Sequence, residues 1–348
     1  MEVLQDLYLT NPRIRQQWQA FLRQQGIVNF TAGEVGQLEQ TVGLFDEQQH
    51  LVGTGSIAGQ VIKYVAVSTS AQAPGARFNQ ILSELIRRLN QAGQFHYFVF
   101  TKPQYISSFE HIGFQCLAQT QLGAILEGGF GGIQDYLATL PIPQTQQNAA
   151  IVMNANPFTR GHRYLVETAA QNSEQVYVFV VQQDESLFTT EERQSLVKAG
   201  VHDLPNVQVV DGSEYVISFA TFPAYFLPSS TQALQYQTQL DAQLFKNWLV
   251  PRLNLTQRYV GEEPLSPTTA AYNDALQQVL PPKTQVVVVP RKTQGQQVIS
   301  ALQVRQYIAQ NNLADLAALV PDSTQTFIEQ HLPQLQARIQ KGKKIDGN

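Results

Sequence analysis

One stretch of the chain combines residue types that enzymes use to hold phosphate. Residues 151–165 are Ile-Val-Met-Asn-Ala-Asn-Pro-Phe-Thr-Arg-Gly-His-Arg-Tyr-Leu, which is an apolar run, a Pro/Gly turn and a helix-like segment. The free N–H groups and the dipole at a helix N-terminus attract anions, above all where the helix follows a parallel strand. Thr159, Gly161 and His162 stand at that predicted helix start. The pattern therefore predicts an anion site.

Each of these three residues has a chemical use at such a site. Gly161 lets backbone and ligand approach closely, His162 can donate to a phosphate oxygen as charge leaves the α-phosphate, and Thr159 supplies a short hydroxyl. A structural interpretation is also available, in which Thr159 caps the helix and His162 satisfies a carbonyl. The position after the first strand of an alternating segment, with Asn156-Pro157 just before it, favours the functional interpretation.

A second candidate region lies far downstream. Val289-Pro290-Arg291-Lys292 follows a β-branched run, and Ile299-Ser300-Ala301-Leu302-Gln303-Val304-Arg305 then opens a predicted helix. Ser300 as N-cap would direct its hydroxyl and the following N–H groups toward the edge of a sheet. Arg305 offers a planar guanidinium that suits phosphate oxygens. The region predicts further phosphate contacts.

Two other segments end near the same predicted edge. Residues 186–193, Ser-Leu-Phe-Thr-Thr-Glu-Glu-Arg, contain a capping box that explains most of their pattern, and they leave Arg193 as a candidate for the substrate pocket. The stretch Tyr259–Thr269 follows a predicted strand, so Glu262 or Glu263 could reach magnesium or a ribose.

These candidates depend on alternating strands and helices. Apolar or β-branched runs at 149–153, 176–181, 207–210, 257–260 and 286–289 alternate with helix-like segments at 161–171, 190–201 and 231–249 and from Ser300 onward. Short apolar strands that alternate with helices predict a mostly parallel sheet covered on both faces. The carboxyl edge of that sheet would bring the candidate residues together.

The first half of the chain has a different pattern. A helix at 13–25, close-spaced strands at 43–46, 51–55 and 61–67, a helix at 78–91 and a strand at 97–101 predict an α+β unit with antiparallel hairpins. Prolines and glutamines at 140–148 interrupt regular structure. We therefore predict a first domain at 1–140, a linker at 141–148 at which the halves should be separable, a second domain at 149–335 and a polar tail at 336–348.

Composition narrows the function classes. The 348 residues have a net charge of −4, 43% hydrophobic residues and 14% charged residues, which suits two domains and argues against nucleic acid as a partner. No apolar run reaches the ~18 residues of a membrane span, and no signal peptide is evident, so we expect a cytoplasmic protein without membrane contact. The single cysteine, Cys116, lies in an apolar stretch and is expected to pack in a core.

The first half resembles the GNAT acyltransferase fold. The resemblance rests on the hairpin that ends in residues 64–68, the Gly-containing turn Gln72-Ala73-Pro74-Gly75-Ala76-Arg77 before a long helix, and the closing stretch 109–114. In that fold the N–H groups of the turn cradle the pyrophosphate of coenzyme A. The resemblance implies Gly75 and Arg77 as candidates for binding a coenzyme A-like arm, although Arg77 replaces the final small residue of the family's turn.

The second half resembles the nucleotidyltransferase superfamily, because it pairs Thr159-x-Gly161-His162 with Ile299-Ser300 and Arg305 and contains the segment 188–193. A Rossmann-like parallel-sheet domain that binds ATP is implied, with His162, Thr159 and Arg305 as catalytic residues. The implied ATP-binding residues are Asn154, Asn156, Pro157, Phe158, Thr159, Gly161, His162, Arg193, Ser300 and Arg305. Arg160, Arg291, Lys292 and Glu262 are further candidates for phosphate or substrate contact. Leu302 stands at a position where the superfamily pattern usually has a residue with a hydroxyl group.

A GNAT-like domain followed by this second domain resembles the citrate lyase ligase family over residues 5–335. The resemblance implies that ATP, with Mg²⁺ carried by its phosphates, and acetate give acetyl-adenylate and pyrophosphate. The acetyl group then passes to the thiol of a coenzyme A-derived prosthetic group on the acyl carrier subunit of citrate lyase. Two alternatives remain: an adenylyltransferase for a phosphorylated cofactor precursor, and a non-catalytic regulator that binds nucleotide or acyl carrier.

Overall fold

A computed structural model describes residues 2–68, 74–182, 186–216, 218, 221–263, 266–294 and 297–345. Its strands are β1 (Val3–Asp6), β2 (Gln40–Phe45), β3 (Leu51–Ala58), β4 (Val61–Val67), β5 (His96–Thr101), β6 (Gln115–Gln119), β7 (Ala124–Gly129), β8 (Asn148–Met153), β9 (Gln175–Val180), β10 (Val207–Asp211), β11 (Leu255–Gly261), β12 (Gln285–Val289), β13 (Thr293–Gln294) and β14 (Gln297–Val298). Its helices are α1 (Pro12–Gln24), α2 (Ala32–Val35), α3 (Pro74–Gln91), α4 (Ile106–Glu110), α5 (Ile133–Thr139), α6 (Arg160–Gln171), α7 (Thr190–Gly200), α8 (Ser230–Leu244), α9 (Val250–Arg252), α10 (Pro267–Val279), α11 (Ala301–Gln310), α12 (Leu316–Leu319) and α13 (Asp322–Gln340).

The chain forms two compact units that do not follow the predicted division. Unit 1 comprises Met1–Tyr136 and Phe219–Asn247, and unit 2 comprises Leu137–Ser218 and Trp248–Asn348. The segment 219–247, which we had placed in the second domain, therefore belongs with the first. Its side chains Phe222, Tyr225 and Tyr236 are buried, and burial of such large apolar rings explains why the segment packs there.

Unit 1 contains a seven-stranded sheet in the order β1-β2-β3-β4-β5-β7-β6. Every neighbouring pair is antiparallel except β4 and β5, which pair in parallel only at Val61–Phe98 and Ile62–Val99. Beyond those pairs β4 continues to Val67 and β5 to Thr101, but the two strands no longer pair with each other. Tyr64 lies just past this point with a φ of 55°. The sheet therefore has a gap between β4 and β5.

Unit 2 contains a five-stranded parallel sheet in the order β10-β9-β8-β11-β12. The first strand of the unit, β8, lies at the centre, and the chain order reverses direction on either side of it. In such sheets ligands bind at the carboxyl ends of the strands beside this reversal. The buried core beneath that edge contains Ile151, Phe158 and Phe188.

The predicted α/β fold class is confirmed: one unit is α+β with a largely antiparallel sheet, and the other is Rossmann-like with a five-stranded parallel sheet. The predicted tail differs, because α13 continues to Gln340 and Ile339 packs against the core. Cys116 is half-buried, and burial raises the pKa of its thiol. None of the helices among the described residues is long and apolar enough to cross a membrane.

Candidate active site

The predicted anion site is a helix N-terminus at the end of the central strand. Thr159 caps α6, and its hydroxyl accepts a hydrogen bond from the His162 N–H at 3.3 Å. The His162 side chain completes the cap, because its Nδ1 lies 3.0 Å from the Thr159 N–H that it accepts. The structural and functional interpretations are therefore compatible. The cap uses one ring nitrogen of His162 and leaves Nε2 available on its other side.

A second helix N-terminus lies beside the first. Ser300 caps α11 and accepts from the Gln303 N–H at 3.2 Å. A Cβ built on Gly161 would lie 3.5 Å from the carbonyl oxygen of Ile299, the residue before that cap. Two helices of 12 and 10 residues thus begin next to each other at the carboxyl edge of the sheet. Their dipoles and free N–H groups reinforce one another as an anion site.

The electrostatics of this edge favour a neutral His162. Burial, followed by the positive charges of Arg291 and Arg305, lowers the pKa of His162 to about 4. At neutral pH the ring carries one proton, and because Nδ1 accepts from Thr159, that proton resides on Nε2. Among the described residues Nε2 has no hydrogen-bond partner. His162 is thereby arranged as a neutral donor.

Arg193 lies beneath the turn rather than in the pocket. Its side chain is 0% exposed, and its guanidinium donates to the carbonyls of Phe188, Asn154 and Val181 at 3.2, 2.8 and 2.7 Å. It also donates to Asn154 Oδ1 at 2.9 Å. These bonds fix the turn that follows β8. The expectation that Arg193 faces the substrate is therefore wrong for this conformation, because buried carbonyl oxygens occupy its donors.

Arg305 has the same kind of position on the other side of the turn. It is 1% exposed, and it donates to the carbonyl oxygens of Asn156 at 2.5 Å and Ile345 at 2.8 Å. The guanidinium of Arg305 therefore bonds to backbone carbonyls in this structure and is not positioned for bidentate hydrogen bonding to a phosphate. Its charge still acts through space, since it lowers the pKa of His162. Arg305 positions Asn156 and adds positive potential to the site.

The remaining residues of the turn are held by packing. Asn156 is 4% exposed and its Oδ1 accepts from the Phe188 N–H at 3.2 Å. Phe158 is 0% exposed and its ring stacks on His162 with centroids 5.8 Å apart. The peptide bond before Pro157 is cis. These contacts shape the turn between β8 and α6.

Arg291 and its carboxylate partner border the site at the ends of β11 and β12. Arg291 donates from Nε to the Glu262 carbonyl at 2.8 Å and forms a salt bridge with Glu263. The Glu263 side chain is 6% exposed, whereas Glu262 is exposed. Strand alternation could have distinguished the two glutamates, because successive side chains of an extended chain point to opposite sides.

The other two cationic candidates have identified contacts. Arg160 donates to the Ala317 carbonyl at 2.9 Å and lies 3.4 Å from Asp322. The Lys292 ammonium lies 5.4 Å from the ring centre of Tyr164, on the first turn of α6. Lys292 therefore remains beside the site, while Arg160 is directed toward α12 and α13. Over the residues described, no three His, Cys, Asp or Glu side chains group together as a metal site requires.

The candidates for a coenzyme A-like arm in unit 1 are engaged within the protein. Gln72 and Ala73 lie outside the described residues. A Cβ on Gly75 would meet no atom within 4 Å. Arg77 forms a salt bridge with Glu2, with Nε 2.8 Å from the carboxylate oxygen. A carboxylate therefore already neutralises the one cation that the turn offers to a pyrophosphate.

The gap between β4 and β5 is filled by the chain itself. Tyr225 stacks on Tyr64 with ring centres 4.2 Å apart and donates to the Phe100 carbonyl at 3.2 Å. The neighbouring Ala224 N–H donates at 3.2 Å to Glu34, whose carboxylate forms a buried salt bridge with Lys63. We name residues 222–227 the aromatic plug. No local sequence pattern predicts it, because Tyr64, Phe100 and Glu34 are each more than 100 residues from Tyr225 and Ala224.

Comparison with known proteins agrees with this geometry. The family model for the C-terminal domain of citrate lyase ligase matches residues 148–328. A citrate (pro-3S)-lyase ligase of Klebsiella pneumoniae is 38% identical over 81% of this chain and 85% of its own length. Those of Haemophilus influenzae and Escherichia coli are 34% and 35% identical, each over 84% of this chain and over 90% and 86% of their own lengths. The chain belongs to the citrate lyase ligase family.

Proposed function

We propose that this enzyme activates acetate with ATP and transfers the acetyl group to the prosthetic-group thiol of the citrate lyase acyl carrier subunit. The observation that carries the proposal is the pair of adjacent helix N-termini at Gly161 and Ser300, with the neutral His162 beside them. This arrangement suits the phosphates of a nucleotide, and the family relationship supplies the acid and the acceptor.

The first half-reaction needs a positioned nucleophile and a stabilised leaving group. A carboxylate oxygen of acetate attacks the α-phosphorus of ATP, an O–P bond forms, and the bond to the β-phosphate oxygen breaks to release pyrophosphate. The nucleophile belongs to the substrate, so no activated serine or cysteine of the protein is required. The residues contribute by alignment and by electrostatic stabilisation of the phosphates.

His162 has the specific task of donating Nε2–H to a phosphate oxygen. Because its pKa is about 4, the ring remains neutral at physiological pH and can donate a hydrogen bond from Nε2. The N-termini of α6 and α11 hold the remaining oxygens. Arg193 and Arg305 act one layer behind, where they hold the backbone of Asn154 and Asn156 in place.

Magnesium would arrive with ATP, bound to its phosphate oxygens. The donor set fits this arrangement, because the exposed Glu262 is a hard oxygen ligand at the edge of the site, whereas Glu263 is engaged by Arg291. The ion would supply charge neutralisation to the triphosphate.

In the second half-reaction the thiolate of the carrier's arm attacks the acetyl carbonyl of acetyl-adenylate. A C–S bond forms, the C–O bond to the phosphate breaks, and AMP leaves. Arg77 and the gap between β4 and β5 are already occupied by Glu2 and Tyr225. These contacts argue against unit 1 as the binding place of the arm.

The test is exchange of labelled pyrophosphate into ATP by the full chain. Exchange that requires acetate supports the proposal, and acetylation of the carrier subunit, measured by mass, supports its second step. Exchange that requires a phosphorylated cofactor precursor instead would identify an adenylyltransferase. Nucleotide binding without any exchange would identify a regulator.

A further inference from the structure

A cationic pocket lies where α13 ends, in a part of unit 2 whose residues have no assigned role in the proposed reaction. It has a volume of about 350 Å³ and is lined by Arg338, Lys341, Gly342, Lys343 and Lys344. The protein as a whole has a net charge of −4, so this concentration of positive charge runs against its composition. A volume of this size accommodates a small ligand.

The pocket is built by a helix-terminating turn. Gly342 has a φ of +97°, its N–H donates to the Ile339 carbonyl, and the Lys343 N–H donates to the Arg338 carbonyl at 3.0 Å. This turn brings Lys343 and Lys344 back beside Arg338. The backbone already satisfies these carbonyls of α13. Arg338 in the last turn offsets the helix dipole. Lys341, Lys343 and Lys344 add three further positive charges at this helix end.

Hydrogen bonds connect the pocket residues to the segment 187–192 and, through Ile345, to Arg305, which contacts the turn between β8 and α6. Arg338 donates to the Leu187 carbonyl at 3.1 Å and forms a salt bridge with Glu192 at 2.7 Å. The chain after Lys344 continues to Ile345, whose carbonyl accepts from Arg305 at 2.8 Å. The same guanidinium holds Asn156. The pocket is thus a fixed part of unit 2 and not a loose basic end.

We infer that this pocket binds a phosphate group of a substrate. Several ammonium groups around a concavity suit a compact, multiply charged anion, because each ammonium acts as a point charge with three rotatable donors. In the proposed function, on which this assignment of substrate rests, two species carry such groups: the triphosphate of ATP and the coenzyme A-derived arm of the carrier. The engagement of Arg77 by Glu2 removes one candidate phosphate contact from unit 1.

The experiment measures binding of ATP, sodium pyrophosphate and coenzyme A to the full chain by calorimetry at low salt. The test variant is Lys343→Glu with Lys344→Glu. The matched control is Lys198→Glu with Lys283→Glu, which makes the same charge change at two exposed lysines of the same unit. We expect the test variant to weaken at least one ligand by about tenfold or more, because two attractive charges become repulsive. The control should change binding by less than about twofold, and equal unfolding midpoints would establish that both variants fold.

Kinetics then identify which phosphate is bound. A raised KM for ATP in acetate-dependent exchange assigns the pocket to the triphosphate. Unchanged exchange with a raised KM for the carrier, and with weaker binding of coenzyme A, assigns it to the arm. Both results support the inference. A carrier protein without its arm that competes as well as the complete carrier would overturn it in favour of docking to protein carboxylates.

Equal binding of all three ligands by the test variant, the control and the wild type would also overturn the inference. The calorimetric result does not require catalysis, so it stands apart from the proposed function. If the wild-type enzyme shows no acetate-dependent exchange, the proposed reaction is refuted. If the test variant nevertheless binds pyrophosphate or coenzyme A more weakly than the wild type, the phosphate site is still supported.

Discussion

The two nitrogens of the His162 ring have different surroundings, and this difference determines what the residue can do. Nδ1 accepts from Thr159 inside the helix cap, whereas Nε2 has no hydrogen-bond partner among the described residues. His162→Ala removes one preorganised donor, which typically lowers turnover by about 10²–10³-fold. We expect that loss in acetate-dependent pyrophosphate exchange. His162→Asn is the control for folding, because its amide oxygen can still accept from the cap. Exchange within a few-fold of wild type in His162→Ala would limit the residue to capping.

The lowered pKa of His162 also predicts how stability depends on pH. The unfolded imidazole has a pKa near 6.5, and the folded one has a pKa of about 4. Between those values the unfolded state binds more protons, so the free energy of unfolding decreases as pH falls from about 6.5 to 4. The contribution is fully present above that window and should be absent in His162→Asn. Urea unfolding of both proteins at pH 7, 5.5 and 4.5 measures it, and parallel curves would contradict the assigned pKa.

Gly161 allows the ligand role to be separated from the structural one. A Cβ at this position would contact Ile299 and Thr159 at 3.5 Å, which is an ordinary van der Waals distance. Gly161→Ala should therefore fold and should not lose stability, since alanine favours a helix by about 0.5–1 kcal/mol over glycine. The added methyl lies between the two helix N-termini, so we expect the KM for ATP to rise by about tenfold or more. The KM for acetate is the internal control, and an equal rise in both constants would count against the phosphate site.

At the scale of the element, the local sequence pattern predicts the strands and helix beginnings that short-range interactions determine. The apolar runs predicted β8, β9 and β12 to within a residue or two, and Thr159 and Ser300 marked the beginnings of two helices. Side-chain capping of free N–H groups is a short-range effect, so the sequence displays it. The same reasoning predicts an anion site where helices follow strands, and the structure brings Gly161 close to Ile299, the residue before the Ser300 cap.

The roles of the arginines and the plug depended on contacts that no local pattern records. Arg193 and Arg305 have the residue type that binds phosphate, yet both are buried and donate to carbonyls of the turn. A buried guanidinium must have its donors satisfied, and carbonyl oxygens distant in sequence satisfy these. The aromatic plug is another case, since Tyr225 contacts Tyr64 and Phe100.

The aromatic plug predicts a stability difference within unit 1. Tyr225→Ala removes a buried ring from between β4 and β5, which should cost about 3–5 kcal/mol, as for other large-to-small aromatic changes. Tyr225→Phe keeps the ring and loses the hydrogen bonds of the hydroxyl, including the one to the Phe100 carbonyl, at a cost of about 1 kcal/mol for each bond. Urea unfolding followed by fluorescence of the buried Trp18, a residue of unit 1, compares the two. Similar costs for both variants would show that the ring itself contributes little.

At the scale of the whole molecule, the chain passes between the units three times rather than once. The boundaries fall after Tyr136, Ser218 and Asn247. The predicted linker is also not free, because Arg252 of unit 2 donates to the carbonyls of Leu137 and Pro141 at 2.8 and 2.9 Å. A cut at residue 149 would remove Asn148, whose side chain donates to the Leu253 carbonyl at 2.8 Å. A single cut at the linker is therefore the wrong way to separate the two halves.

This organisation predicts the outcome of truncation. A fragment of residues 149–348 retains the segment 219–247 but lacks the rest of unit 1, so buried rings such as Phe222, Tyr225 and Tyr236 would be exposed. We expect that fragment to aggregate, because large exposed apolar patches promote association. A fragment that begins at residue 137 and replaces residues 219–247 by a Gly/Ser linker of equal length should remain monomeric, since unit 2 keeps its own core. It should also retain acetate-dependent pyrophosphate exchange, because both helix N-termini and His162 lie in unit 2.

Size-exclusion chromatography and the exchange assay on both fragments measure this. A monomeric, active 149–348 fragment would show that the plug does not need unit 1. An inactive but monomeric linker fragment would show that catalysis requires more than the unit that holds the phosphates.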